Sequence, residues 1–524
     1  MIGSLFHILR LARAGYVLAH EGVFANIDPS LAPPQARFGL AVARLLARRD
    51  VKPGANRLAI AIARLGPSYV KLGQFLATRP DVVGPNVVRE LEMLQDRMEP
   101  FGRAVAVNTI EAAFNRPLHE VFIELAEPLA AASIAQVHKA RVRDEHGERD
   151  VAVKILRPGV ESRFARDLSD MFFAARFAER HFAEARRLRM VEVVETLARS
   201  VRMEMDFRLE AAAASEFAEN SAKDTDFRVP TVDWDRTSKD VFTMQWMDGI
   251  PLSDIPALEK AGHDLPALGR TVIQSFLRHA VRDGFFHADM HPGNLFVDRE
   301  GRLCAVDFGI MGRLGLKERR FLAEILYGFI TRDYRRVAEV HFEAGYVPEH
   351  HAVEDFAQAV RAIGEPIHSR RADQISMAKL LTLLFEITAL FDMRTRPELV
   401  MLQKTMVVVE GVARRLDPRL NLWSTADPVV RGWIEENLGP IGKLSDAGRS
   451  LSQLGRAAIA LPEMLDRAER LTRKLEEATK HGFELSATSV EAIGKAEARR
   501  ARWGNAALWA IAGLLLWFAV KLLD

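Results

Sequence analysis

The chain has 524 residues, 48% of them hydrophobic and 27% charged, with a formal net charge of +2. That length holds two to four domains with an ample core, and the near-neutral balance gives no support to a nucleic-acid partner. A single cysteine, Cys304, excludes an intramolecular disulfide and fits a reducing compartment. It lies in the apolar run LCAVD and reads as a buried small hydrophobe.

Residues 1–100 read as a helical extension. The opening stretch MIGSLFHILRLARAGYVLAH is interrupted by His7, Arg10 and Arg13, so it lacks the unbroken apolar region of a signal peptide. It is read as a packed helix, with an amphipathic helix on a membrane surface as the alternative. Gly66-Pro67 breaks the chain and offers a proline at the first position of a new helix, SYVKLGQFLATRPD. Lys71, Gln74 and Thr78 fall at i, i+3 and i+7, one polar stripe on an otherwise apolar helix. Gly73 inside that helix costs ~1 kcal/mol relative to alanine, which predicts a close approach by a neighbouring element.

Residues 101–248 read as a small nucleotide-binding lobe. A short helix over Val107–Phe114 is followed by EVFIELAEPLAAASIAQVHKARV, a polar turn, and DVAVKIL, three antiparallel strands. Ala130, Ala132 and Ala135 stand where a phosphate-covering G-x-G-x-x-G-x-V loop carries glycines, and Val137 completes the pattern. The whole loop, Leu129, Ala130, Ala131, Ala132, Ser133, Ile134, Ala135, Gln136 and Val137, is therefore the candidate nucleotide-binding segment. Alanine there restricts the positive-φ freedom glycine would give. Lys154 ends V-A-V-K on the third strand, where a lysine can pair the α- and β-phosphates.

Leu168–Glu219 reads as one long helical tract carrying Glu204, Asp206 and Glu210. On one helix, Glu204 and Glu210 would point roughly 120° apart. The simplest assignment gives Glu210 to Lys154 and Glu204 to Lys71; a surface pair Glu204–Arg208 is the bland alternative. FRVPTVDW and DVFTMQWMDG bring further strands, and the segment from Met244 to Met247 stands at the junction of two lobes, where backbone groups could meet an adenine.

Residues 249–480 read as a helical lobe around one platform, HADMHPGNLFVDREGRLCAVDFG, from His287 to Gly309. Phosphoryl transfer needs a carboxylate to orient the attacking hydroxyl and oxygen ligands for magnesium. Asp289 fits the first role; Asn294 and Asp307 fit the second. The two short apolar runs between them predict a hairpin that holds both metal ligands. After Gly309 the chain enters a helix near Lys317, with no long activation segment and no A-P-E tripeptide, so a groove for peptide substrates is not expected. Residues 481–505 read as a linker. Residues 506–523 read as a single membrane anchor: Ala506–Val520 is apolar without a break, Trp503, Trp509 and Trp517 stand like interfacial anchors, and Arg499, Arg500 and Arg502 hold their side in the cytoplasm. A buried core helix is the alternative, because the run falls short of the ~20 residues a span prefers.

These motifs together resemble the UbiB family of atypical kinase-like proteins linked to ubiquinone biosynthesis. Lys71-Leu72-Gly73-Gln74 looks like the family's K-x-G-Q motif, Ala130 to Ser133 its alanine-rich loop, Glu204-x-Asp206 its E-x-D motif, and His287 to Asn294 its catalytic loop. Ala77 and Ala213 depart from residues common in the family, at positions without a catalytic role. The resemblance implies an α+β, two-lobed protein-kinase-like fold with a helical N-terminal extension folded over the active site, to which the apolar run at 506–523 adds a C-terminal transmembrane helix. It also implies binding of ATP or ADP with Mg²⁺, ATPase activity, and support of ubiquinone assembly, with membrane lipid and pathway enzymes or quinone precursors as partners. The expected site set is Asp289, Lys154, Glu210 and Lys71 for catalysis and Asn294 and Asp307 for the metal, in a cytoplasmic body anchored to a bacterial inner membrane. Two other readings compete: a small-molecule kinase of the aminoglycoside or choline kinase type, and a nucleotide-sensing scaffold for membrane enzymes.

Overall fold

A computed structural model describes residues 2–24, 34–48, 56–77, 80–91, 98–145, 147–368, 390–393 and 397–438, with Leu94 and Ile387 besides. Residues 1–436 form one compact unit and 437–524 a second. Thr78, the linker at 481–505 and the segment 506–523 lie outside the described residues. Among the described residues no helix is long and apolar enough to cross a membrane.

The small lobe is a four-stranded antiparallel sheet in the order β1 (Glu124–Ala131), β2 (Ala135–Asp144), β3 (Gly147–Leu156) and β5 (Val241–Gln245). Its strands alternate, and the alternation positions the site. Val151, Val153 and Ile155 of β3 and Ala140 and Val142 of β2 bury against Ala106 and Ile110 of the Arg103–Phe114 helix. Ala152 and Leu156, with Ala135 of β2, face the main core instead. Lys154 lies on that second face, opposite Val137 in the register. The three strands read from the sequence are therefore present, in antiparallel order.

The helical tract expected over 168–219 is divided. Helices run Val160–His181, Ala183–Arg187, Met190–Glu204 and Phe207–Ser221. Arg189 takes a left-handed φ of 50° before the third, and Asp206 caps the fourth by accepting from Arg208 N at 3.2 Å. Glu204 thus ends one helix and Glu210 sits in the first turn of the next. They do face different cations, but because the chain turns at Met205-Asp206, not through angular offset on one helix. Arg208 pairs with Asp206 rather than with Glu204.

FRVPTVDW also differs from the expected strand. Only β4 (Phe227–Arg228) pairs, in parallel with the Leu303–Ala305 strand, and Val232 adds one bridge to Met244, since Pro230 interrupts the ladder. The platform sheet runs β4, β9 (Leu303–Ala305), β8 (Leu295–Val297), β6 (Ile250–Pro251), and β7 (Phe285–His287) pairs with β10 (Met311–Arg313). The hairpin expected between Asn294 and Asp307 is the β8–β9 pair.

Under the platform lies the Leu265–Arg278 helix, started by Asp264, which accepts from Ala267 N at 3.0 Å, and by a proline in its first turn. Its Leu268, Val272, Ile273, Phe276 and Leu277 are buried. Gly269 permits close contact with the Pro397–Leu416 helix: a Cβ there would stand 3.1 Å from Ala413 O. At the small-lobe side, Phe217 is fully buried between Phe227, His279 and Phe285 with edge-on ring contacts.

The N-terminal extension is fastened by ion pairs. Buried Asp170 on the Val160–His181 helix accepts from His7 Nδ1 at 2.5 Å and from Arg10 Nε at 2.6 Å, so the Ile2–His20 helix packs, as one of the two readings expected. The Pro67–Ala77 helix contacts the main core through Tyr69, Leu72 and Phe75. The close approach predicted at Gly73 is real: a Cβ there would overlap Leu94 and press on Ile62 at 3.3 Å and Leu91 at 3.4 Å.

Candidate active site

Three elements converge on one ammonium. Lys154, from the core-facing side of β3, donates to Glu210 Oε1 at 2.8 Å and Oε2 at 3.0 Å, and to Asp307 Oδ1 at 3.1 Å. Glu210 Oε1 also accepts from Phe308 N at 3.3 Å, so the same carboxylate holds the lysine and the backbone beside Asp307. The side chains of Lys154 and Glu210 are 14% and 7% exposed, while that of Asp307 is 49% exposed. Burial would lower the Lys154 ammonium, but Asp307 and Glu210 outweigh it and raise its pKa. Lys154 in turn holds the Asp307 carboxyl well below the usual carboxylate range. Burial pushes Glu210 up to about 7 against the pull of Lys154. The lysine is thus firmly cationic and Asp307 firmly ionised.

Asp307 stands at φ 67°, a left-handed conformation uncommon for a residue with a side chain, and its Oδ1 accepts from Gly309 N at 3.3 Å. That twist presents the carboxylate to solvent while Phe308 turns inward against the His287 ring. Asn294 donates through Nδ2 to Asp289 Oδ2 at 3.0 Å and to the Asp289 carbonyl at 3.1 Å. With Nδ2 so engaged, Oδ1 is the oxygen Asn294 offers a cation. A half-exposed ionised carboxylate and an amide oxygen form a hard-oxygen donor set that suits Mg²⁺, which keeps several waters.

Two residues outside the expected set hold the candidate catalytic turn. His287 Nδ1 accepts from Asp289 N at 3.1 Å and Nε2 faces Val306 O at 3.4 Å, which ties β7 to the residue before Asp307. Burial lowers the His287 pKa, consistent with a neutral ring that accepts at Nδ1 and donates at Nε2. Buried Thr405 donates to Ala288 O at 3.0 Å from the Pro397–Leu416 helix. Its only signal in the sequence is a hydroxyl inside an apolar helix.

The alanine-rich loop is held close. Ala131 is the last residue of β1, Ala132 N donates to Ala135 O at 2.7 Å, and Met98 N donates to Ala131 O at 3.0 Å. Leu129 and Ala130 are exposed, whereas Ser133, Ile134 and Ala135 are buried. Ala135 and Val137 share the face of Lys154. Gln136 does not: strand alternation turns its fully buried side chain to the opposite face, where it bonds the Phe101 backbone at 2.9 and 3.3 Å. Its side chain is therefore withdrawn from the candidate nucleotide set. In the inter-lobe segment, Gln245 N donates to Thr231 O and Trp246 N to Asp150 O, so those two donors are already engaged.

Lys71 on the Pro67–Ala77 helix forms an ion pair with Glu204, both side chains largely buried. Ser200 Oγ donates to the same glutamate at 3.4 Å. Cys304 is buried behind the platform and its thiol is pushed up to about 11 by that burial, so it is unreactive.

A strand lysine paired to a helix glutamate, facing a turn that carries an aspartate, an asparagine and a D-F-G aspartate, defines a kinase-like enzyme. Residues 93–341 match the ABC1 atypical kinase-like domain and residues 360–421 the UbiB helical domain. The chain is 40% identical over 463 residues to a probable protein kinase UbiB of Marinobacter nauticus, covering 87% of this chain and 84% of that one. It is 38% identical over 455 residues to the protein so named in Azotobacter vinelandii, covering 85% and 84%. A solved structure, the complex of Rv3197 with erythromycin from Mycobacterium tuberculosis, is 23% identical over 75% of this chain and 98% of that one, with a TM-score of 0.46. The chain belongs to the UbiB family of atypical kinase-like proteins.

Proposed function

We propose that this protein binds ATP or ADP with Mg²⁺ and acts as a kinase-like phosphotransferase or ATPase that supports ubiquinone biosynthesis at a membrane. The observation that carries the nucleotide reading is the junction at Lys154: one cation shared by a buried glutamate and the D-F-G aspartate, beside an asparagine that already orients Asp289. Lys154 would pair the α- and β-phosphates, Asp307 and Asn294 would hold the magnesium, and the metal would supply charge neutralisation between phosphates. Asp289, fixed by Asn294 from the side and His287 from the backbone, would orient the attacking hydroxyl or water. Within the inter-lobe segment the Gln245 and Trp246 N–H groups are engaged, so adenine would meet other backbone groups of Met244 to Met247.

Phosphorylation of a protein in trans is not part of the proposal. Gly309 is followed within two residues by β10, which pairs back onto β7, and then by the Leu316–Thr331 helix. The chain leaves no activation segment there to build a peptide groove. The ubiquinone role follows from the family resemblance, and the anchoring of 506–523 in a bacterial inner membrane, body cytoplasmic, from its apolar sequence.

Two experiments test this. Purified protein with Mg-ATP and lipid is expected to release phosphate, and Asp289→Asn to abolish the release; binding without turnover would favour a scaffold. Quinone profiling of a deletion strain is expected to reveal a loss of ubiquinone with an accumulated precursor, and normal levels of both would remove the pathway assignment.

A further inference from the structure

A second cluster of ligand-type side chains lies at the edge of a separate core, built around Tyr334, Phe356 and Phe391 and distinct from the core beside Asp289 and Asp307. His350 and His351 precede the Val353–His368 helix, and Asp392 follows Phe391 in a separate stretch of chain. One ligand atom from each of the three lies within 4.8 Å of the others. His350 Nε2 is 3.7 Å and His351 Nε2 3.4 Å from the same Asp392 Oδ2. Ligand atoms around a tetrahedral zinc ion with bonds of about 2.0–2.1 Å are separated by about 3.4 Å, so these two separations need little or no adjustment.

Three further features fit a ligand set better than a surface ion pair. His351 Nε2 is buried and has no hydrogen-bond partner among the described residues, although it lies 3.4 Å from Asp392 Oδ2. A buried ring nitrogen in that state costs free energy unless something else engages it. The His351 ring is oriented by contact with Phe391, centroids 5.2 Å apart, and Phe391 packs in turn on Phe356. Asp392 is held at a left-handed φ of 47°, a conformation tolerated by aspartate and disfavoured for most side chains. Two imidazoles and one carboxylate select late first-row divalent ions over Mg²⁺ and Ca²⁺, which prefer all-oxygen sites.

We propose that His350, His351 and Asp392 bind one divalent transition-metal ion of the zinc class, with a fourth position open to solvent. The ion fastens the start of the Val353–His368 helix to the turn at Phe391–Asp392. It is a structural staple in the helical lobe, distinct from the magnesium expected at Asn294 and Asp307.

The test uses the untagged full-length chain, stripped of metal by a chelator, with ZnCl₂ as the titrant in calorimetry and Co²⁺ as a spectroscopic probe. Wild type is expected to bind one equivalent of Zn²⁺, with a dissociation constant on the order of micromolar or tighter, to develop Co²⁺ d–d absorption, and to gain thermal stability on metal addition. His350→Ala and Asp392→Ala are each expected to weaken binding at least about tenfold and to lose the thermal gain. Those two side chains are 64% and 68% exposed, so their removal leaves the core intact. Zinc binding unchanged in both variants would assign the metal to others of the 15 histidines and overturn the proposal. Absence of binding at micromolar zinc would overturn it as well.

Discussion

At about pH 8–9, above the value of about 7 to which burial pushes Glu210, Glu210→Gln keeps the shape of the buried partner of Lys154 and removes its charge. Two charge-assisted bonds, at 2.8 and 3.0 Å, become at most one neutral acceptor contact. A hydrogen bond to a charged group contributes roughly 1.5–3 kcal/mol, and part of that is offset because the amide is less costly to bury than a carboxylate. Asp307 stays 3.1 Å from Nζ, so the ammonium keeps one counter-charge. The expected loss is about 1–2 kcal/mol. Asp307→Asn alone removes a half-exposed charge and is expected to cost no more than about 1 kcal/mol. The double variant leaves Lys154 buried without any counter-charge, a situation that costs roughly 3–5 kcal/mol. At mid-range the double loss, about 4 kcal/mol, therefore exceeds the sum of the singles, about 2 kcal/mol, by roughly 2 kcal/mol. Urea unfolding followed by tryptophan fluorescence on the four proteins measures the coupling. Additivity within ~0.5 kcal/mol would refute the claim that both carboxylates hold one buried ammonium.

Two other predictions concern the scaffold behind the site. Phe217→Ala removes a fully buried ring from the edge-on cluster with Phe227, His279 and Phe285 and is expected to cost about 3–5 kcal/mol, read as a lowered urea midpoint; a loss under ~1 kcal/mol would contradict this packing. Asp224 accepts from His279 at 3.0 Å and from Arg282 at 2.6 and 3.1 Å. Although burial opposes it, these partners hold the Asp224 carboxyl well below its usual range, and burial likewise lowers the pKa of His279. Both groups bind protons less readily folded than unfolded, so their contribution is complete above about pH 6.5 and declines on acidification, through His279 first and Asp224 below about pH 4. A urea midpoint that falls from pH 7 to pH 4 in wild type, and falls less in His279→Gln, which removes the group that titrates in that window, is the expected result; a flat wild-type profile would contradict it.

Much of the site was legible because its chemistry fixes residue types at short spacing. Asp289, Asn294 and Asp307 lie on one hairpin unit, and V-A-V-K places Lys154 by strand alternation alone. Gly73 announced a tight contact through its helix cost. What was not legible depends on where the chain turns. Glu204 and Glu210 look like one helix by composition, since the run is rich in helix formers, and only the cap at Asp206 divides them. Gln136 reads as part of a nucleotide loop until the register assigns its side chain to the far face. The two-residue strands β4 and β6 are too short for a periodic signal, and they form through pairing with β9 and β8 rather than through their own propensity. His350, His351 and Asp392 meet only in three dimensions, so no spacing rule would find them.

Lys154, Glu210, Asn294 and Asp307 are proposed to build one magnesium–nucleotide site. Equilibrium binding of ATP to wild type and to Asp307→Asn, each with and without Mg²⁺, tests it most directly. Wild type should bind ATP at least about tenfold more tightly with Mg²⁺, a difference of about 1.4 kcal/mol, and Asp307→Asn should lose that gain. ATP binding that ignores Mg²⁺ in wild type, or a full Mg²⁺ effect retained in Asp307→Asn, would contradict the account.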